Sequence, residues 1–280
     1  MILRRWQSSL ALFGDVARFV LDNFGRLLLW GLPIPLYGLA LELSETAEGG
    51  AAEPSHLGLA LGLGLTLLGL LLVVPLQFNV QRHLLTGAPL DKPPYLTLFA
   101  SGAVWRYAAL LLALTGAVAI LLAASGALLY ASIETHPGDF LAISAAPMIG
   151  SFALFALTIY LGLKASVAPA LLAEGDAHPI RGSWEATRGG LTRLLSLYSA
   201  ATFSFLVMIF MVGFALGIGS AIDSALDLDI PQAVSDALLV VAWEIFTFAL
   251  SVTLATIPCV YLCARDEDAQ RPFAAGLGGT

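Results

Sequence analysis

Charge is scarce in this chain: Asp, Glu, Lys and Arg make up 12% of its 280 residues, about half the share of an ordinary soluble domain. The hydrophobic share is 58% and the mean hydropathy +0.86. A soluble fold of this length needs a polar surface that so few charges do not supply, which excludes an aqueous globular domain and leaves lipid as the solvent. Cysteine is nearly absent too. Cys259 and Cys263 stand four apart near the end of the last apolar stretch. A disulfide within one helical turn is not expected on a reducing face, and two thiols do not make a metal site. Catalytic motifs are missing. No HExxH stands on a helix, Gly219-Ser220 has no histidine on another span to activate it, and the four histidines (56, 83, 136, 178) fall in loops or at interfaces. Arg4 and Arg5 imitate the start of a signal peptide, but Asp15, Arg18 and Asp22 interrupt the apolar run it would need. No cofactor, metal, nucleic-acid partner or enzymatic activity is therefore expected.

What is present is a set of long apolar runs. A bilayer core of about 30 Å takes roughly 20 residues of helix. Six stretches qualify, at about 27–43, 57–80, 104–130, 141–165, 194–222 and 237–263. They predict an all-α polytopic membrane bundle of six transmembrane helices. The first carries Pro33 and Pro35 and should be kinked. The connecting segments sort charge by side. All 13 Lys and Arg residues fall on the face that holds both termini, and the opposite face carries ten acidic residues and no basic one. The positive-inside rule puts the basic face in the cytoplasm of a bacterial inner membrane, with residues 264–280 as a cytoplasmic tail.

Residues 1–25 form an amphipathic leader. Trp6, Leu10, Phe13, Ala17, Val20 and Phe24 recur at helical spacing, and Arg4, Asp15, Arg18, Asp22 and Arg26 oppose them. Such a helix lies in the cytoplasmic interface or packs on the inner ends of the bundle. The design recurs: FGRLLL, VWRYAA and LTRLLS each place an arginine just before a span, with Arg26, Arg106 and Arg193 lying 80 and 87 residues apart. This predicts three repeated hairpins, with further interfacial helices near 93–102 and 180–190.

Residues 169–200, PALLAEGDAHPIRGSWEATRGGLTRLLSLYSA, combine Pro169, Glu174-Gly175, Ser183-Trp184, Thr187-Arg188-Gly189 and Leu194-Leu195. This run resembles the signature of the membrane domain that accompanies some bacterial glycerophosphodiester phosphodiesterases, and of related six-span inner-membrane proteins. VYLCARDED (260–268) is similar to that group's Tyr-then-Arg close. The resemblance implies a fold and a membrane rather than an activity, because in those enzymes the chemistry belongs to a separate soluble barrel. Glu174 and Asp176 imitate that barrel's metal carboxylates, but Arg82-His83 reverses its His-Arg order. A turn capped by Gly175 is the expectation there.

Two features stand out as candidate sites. Glu244 is the only acid well inside a span, where a charge costs about 2.5–3.5 kcal/mol, so it should be neutral, paired or facing a polar cavity. The second is a ring of polar groups at the inner helix ends. Arg26, Arg82, Arg106 and Arg193 stand there beside Asn79, Gln81, His83, Lys164, Glu174 and Arg265, as contacts for lipid headgroups or as plain anchors. Gly58-x-x-x-Gly62 and Gly213-x-x-x-Gly217 are candidates for close helix packing. The expected function is a non-enzymatic, lipid-associated or envelope-maintenance role with membrane lipids as partners. The alternatives are a small transporter using Glu244, and an anchor recruiting a separately encoded soluble enzyme; a homo-oligomer is also open.

Overall fold

In the computed structural model every regular element among the described residues is a helix; those residues are 2–38, 40, 56–88, 100–134, 145–226 and 232–276. The helices are α1 (Ile2–Gly31), α2 (His56–Thr86), α3 (Gly102–Glu134), α4 (Ala145–Ala165), α5 (Ala168–Glu174), α6 (Pro179–Ala186), α7 (Leu191–Leu226) and α8 (Gln232–Gly276). Among the described residues, five segments are long and apolar enough to cross a membrane: Leu67–Thr86, Gly102–Ala131, Pro147–Glu174, Leu191–Phe214 and Leu239–Arg265. They match the second to sixth predicted spans. α8 runs on as helix to Gly276, through most of the predicted tail.

The first predicted span takes a different form. α1 does not stop at residue 25 but continues to Gly31. The chain turns at Leu32 and is helical again over 33–38. Pro33 disfavours helical geometry at the residue before it, which places the predicted kink at Leu32. The Leu36 N–H reaches back to the Leu32 carbonyl at 3.2 Å. Residues 41–43 of that span and the acidic segment to residue 55 lie outside the described residues, as do 89–99, 135–144 and 227–231. The interfacial helix predicted at 180–190 is present as α6; most of the one predicted at 93–102 lies outside the described residues.

α8 sits at the centre, packed by α1, α2 and α7, and α3 pairs with α4 over a long interface. Burial is concentrated where the basic residues lie. One cluster joins Val16 of α1, Ala170 of α5, Leu194 and Leu197 of α7, and Ile257 and Tyr261 of α8. A second joins Val20, Leu27, Leu76, Val80 and Phe248, and a third Val74, Phe78, Val104 and Tyr107. α1 thus packs one face on the bundle and leaves Leu10, Leu21 and Leu29 exposed. Away from that end the described large apolar side chains turn outward. Past Ala201, α7 exposes Phe203, Phe210 and Phe214 at 68%, 75% and 67%, which suits contact with acyl chains rather than water.

Polar pins and close glycine contacts hold the helices together. Ser125 and Ser151 each donate to the other's backbone carbonyl, at 3.0 and 2.9 Å, locking α3 to α4. Segment 31–38 lies between α2 and α8. A β-carbon at Gly31 would strike the Phe248 ring, and one at Gly38 would strike the Glu244 carboxylate. The Tyr37 hydroxyl donates to the Leu65 carbonyl, with its ring against Gly69. Gly213, by contrast, has open space around it. Its motif partner Gly217 and the Gly58-x-x-x-Gly62 pair lie outside the residues whose side-chain surroundings are described.

Candidate functional site

The run from Lys164 to Ala201 forms a latch at the basic end. α4 ends at Ala165, which would leave the carbonyls of its last turn unpaired. Ser183 of α6 donates to the Lys164 carbonyl at 2.6 Å and supplies one missing donor. Pro169 lies in the first turn of α5, where its missing N–H costs nothing. Gly175 ends α5 at φ 116°, with the Asp176 N–H reaching the Leu171 carbonyl at 2.9 Å and the Gly175 N–H the Leu172 carbonyl at 3.2 Å. This is the Schellman arrangement expected of a glycine cap. Asp176 then accepts from the His178 N–H at 2.8 Å and starts α6. No cluster of His, Cys, Asp and Glu able to hold a metal occurs among the described residues.

The latch closes on α8. Tyr261 donates to the Ala186 carbonyl at 3.0 Å across 75 residues of sequence. Its hydroxyl also lies so close to Gly190 that no β-carbon fits there. Thr187, fully buried, donates to the Ser183 carbonyl at 2.8 Å. Leu194 is buried in the core and Leu195 is 45% exposed. Lys164 is only 5% exposed, with its ammonium 5.4 Å from the Trp184 ring centroid. Tyr160 meets the same ring edge-on at 6.4 Å. Aromatic rings beside a lysine at a helix end suit a membrane interface.

The ring of polar groups divides in two. Arg26, Arg82 and Arg106 are exposed and Arg193 is half-buried. Gln81 turns inward at 3% exposure, donating to the Ala255 carbonyl at 3.1 Å and accepting from the Tyr107 hydroxyl at 3.0 Å. His83 stacks on Phe19 at 6.3 Å and its Nδ1 lies 2.7 Å from the Ala88 carbonyl. Glu244 is half-buried against Gly38, with its own carbonyl accepting from Thr247 at 3.0 Å.

Gln81 and Tyr107 also form the floor of an open-sided chamber that their residue types alone do not announce. One lobe, of about 400 Å³, lies among α2, α3, α4, α7 and α8. A second, of about 900 Å³, extends away from the basic end and is bordered by exposed side chains such as Phe155 and Phe203. Both are lined by Val118, Gly162, Ser166, Tyr198 and Leu254, so they adjoin. Gln77 adds to the floor, one helical turn from Gln81, and donates to Ser251 at 3.3 Å. None of the four predicted arginines lines either lobe, and neither does Glu244. The signal available was the Gln77-x-x-x-Gln81 pair, two amides on one face at the end of an apolar run.

Fold and site together define a multi-pass membrane type of all-helical protein with a largely apolar, open-sided chamber. Compared with known proteins, the chain matches no family model, no curated protein and no solved structure.

Proposed function

We propose that this chain is a non-enzymatic protein of the bacterial inner membrane that holds lipid in its chamber, as part of lipid handling or envelope maintenance. The observation that carries the reading is the chamber itself. It is an open-sided space of about 400 Å³ and about 900 Å³ with largely apolar walls, running away from the basic end of the bundle. Sites that bury small ligands run to roughly 300–1,000 Å³ with few polar groups. Charge sorting supports cytoplasmic termini, and the run 24–43 with the 33–38 helix supports a sixth crossing. The repeated arginines and α6 support three related hairpins. The 169–200 motif supports kinship with the membrane domains of glycerophosphodiester phosphodiesterases, since Pro169, Gly175, Ser183, Trp184, Thr187 and Leu194 of it build the latch.

Mass spectrometry of the protein purified in mild detergent tests the proposal. A β-carbon at Gly162 meets nothing within 4 Å, so Gly162→Phe fills the chamber without disturbing a packed contact. Wild type should retain lipid and Gly162→Phe should not. Equal retention by both, or none by wild type, would refute the reading.

A further inference from the structure

The chamber has no charge in it. Its polar groups are amides and hydroxyls, the two amides Gln77 and Gln81 lying at the basic end of the bundle, and every lysine and arginine of that end is absent from its lining. A carboxylate, phosphate or ammonium drawn into such a space would lose its hydration and gain no opposite charge. The hydrogen-bond inventory says what would be welcome instead. Gln81 uses one amide N–H on Ala255 and its oxygen on Tyr107, and its second N–H remains available as a donor. Tyr107, fully buried, donates to Gln81 and keeps oxygen lone pairs to accept. Gln77 donates to Ser251, with its carbonyl oxygen and second N–H left over. Donors and acceptors thus stand side by side on one floor.

From that floor the walls are largely apolar; Thr115 interrupts them on α3, and the Thr158 and Thr202 hydroxyls turn back to carbonyls of their own helices. Along α3 the lining runs from Tyr107 through Leu111, Leu114, Thr115 and Val118 to Leu122, roughly 22 Å at 1.5 Å per residue. We infer that the chamber binds an uncharged amphiphile: a single long acyl or isoprenoid chain ending in a hydroxyl or ester that hydrogen-bonds to Gln77, Gln81 and Tyr107. The inference rests on the lipid-holding reading and narrows it, because it excludes intact anionic phospholipid as the chamber's occupant. The exposed arginines then meet phosphates outside the bundle. Polar recognition of this kind discriminates strongly, because an occupant lacking the group strands buried partners.

Competition against radiolabelled hexadecanol, with the full-length protein in detergent micelles, tests this. Three competitors carry the same C16 chain: monopalmitoylglycerol, palmitoyl lysophosphatidate and hexadecyltrimethylammonium. The monoacylglycerol should compete at concentrations at least 10-fold lower than either charged compound. Tyr107→Phe and Gln77→Leu should each weaken it by 3- to 10-fold and leave the charged competitors unchanged; two variants on different helices guard against one that misfolds. Charged competitors as good as the neutral one, or variants without selective effect, would overturn the inference and leave lipid holding intact. Failure of hexadecanol to bind wild type at all would overturn the inference, while lipid holding falls only if the purified protein retains no lipid.

Discussion

Replacing Gly190 by alanine puts the latch under a direct load. The new β-carbon would overlap the Tyr261 hydroxyl and lie 3.0 Å from the ring carbon that bears it. Tyr261 is 3% exposed, and its hydroxyl is held by the Ala186 carbonyl. The ring cannot swing away as a flexible chain would. Overpacking a core contact of this kind costs about 1–3 kcal/mol. Tyr261→Phe removes the oxygen and strands a buried carbonyl, at about 1–3 kcal/mol. In the double variant the β-carbon occupies the space the oxygen left, and only the 3.0 Å contact with the ring remains. The two losses should therefore fall short of their sum by about 1 kcal/mol, the coupling expected of residues in contact. Unfolding in mixed micelles by SDS titration of the four proteins measures this. Additivity within about 0.4 kcal/mol, the scatter of independent sites, would mean that α8 does not close the latch through this pair.

Gly175→Ala should cost about 1–2 kcal/mol in the same titration, since a side chain at φ 116° enters the left-handed region. Ser125→Ala should cost about 0.6–1.7 kcal/mol, the range for hydrogen bonds between membrane helices, and Ser151→Ala in the same chain should add a similar loss, because its hydroxyl donates to the backbone carbonyl of residue 125, which the first change leaves in place. Gly31→Ala should destabilise by about 1–3 kcal/mol or more, as its β-carbon strikes Phe248, which is 1% exposed; a melting temperature within 1 °C of wild type would contradict the packing. Glu244→Gln should leave lipid retention unchanged. Loss of retention in that variant, read by mass spectrometry, would return the functional role to Glu244.

The sequence makes local features legible and hides those that depend on distant partners. Helices α2, α3, α4, α7 and α8 follow from uninterrupted apolar length, which a bilayer demands. The Gly175 cap follows from its neighbours along the chain. α1 runs past the boundary expected at residue 25, because Gly25 weakens a helix without ending it and Pro33 is the first residue that does. The glycine-pair motif pointed to Gly213, whereas close approach occurs at Gly31, Gly38 and Gly190. What decides it is the side chain that arrives from another helix, Phe248, Glu244 or Tyr261. The chamber was hidden for the same reason: Tyr107 is an ordinary aromatic until Gln81 is brought beside it.

The uneven burial of the bundle has a mechanical meaning. Helices pinned tightly at one end and turning large apolar side chains outward beyond it yield most readily away from the pins, and their spacing there is set by whatever presses on them from the side. In a bilayer that load is the lateral pressure of the acyl chains. The lipid is then a structural component as much as a solvent, and the second lobe of the chamber becomes a volume that membrane thickness and chain packing can enlarge or close. The pinned end around Ser183, Thr187 and Tyr261 stays fixed as this happens. A protein built this way carries the physical state of its membrane inward to the wall of its own cavity.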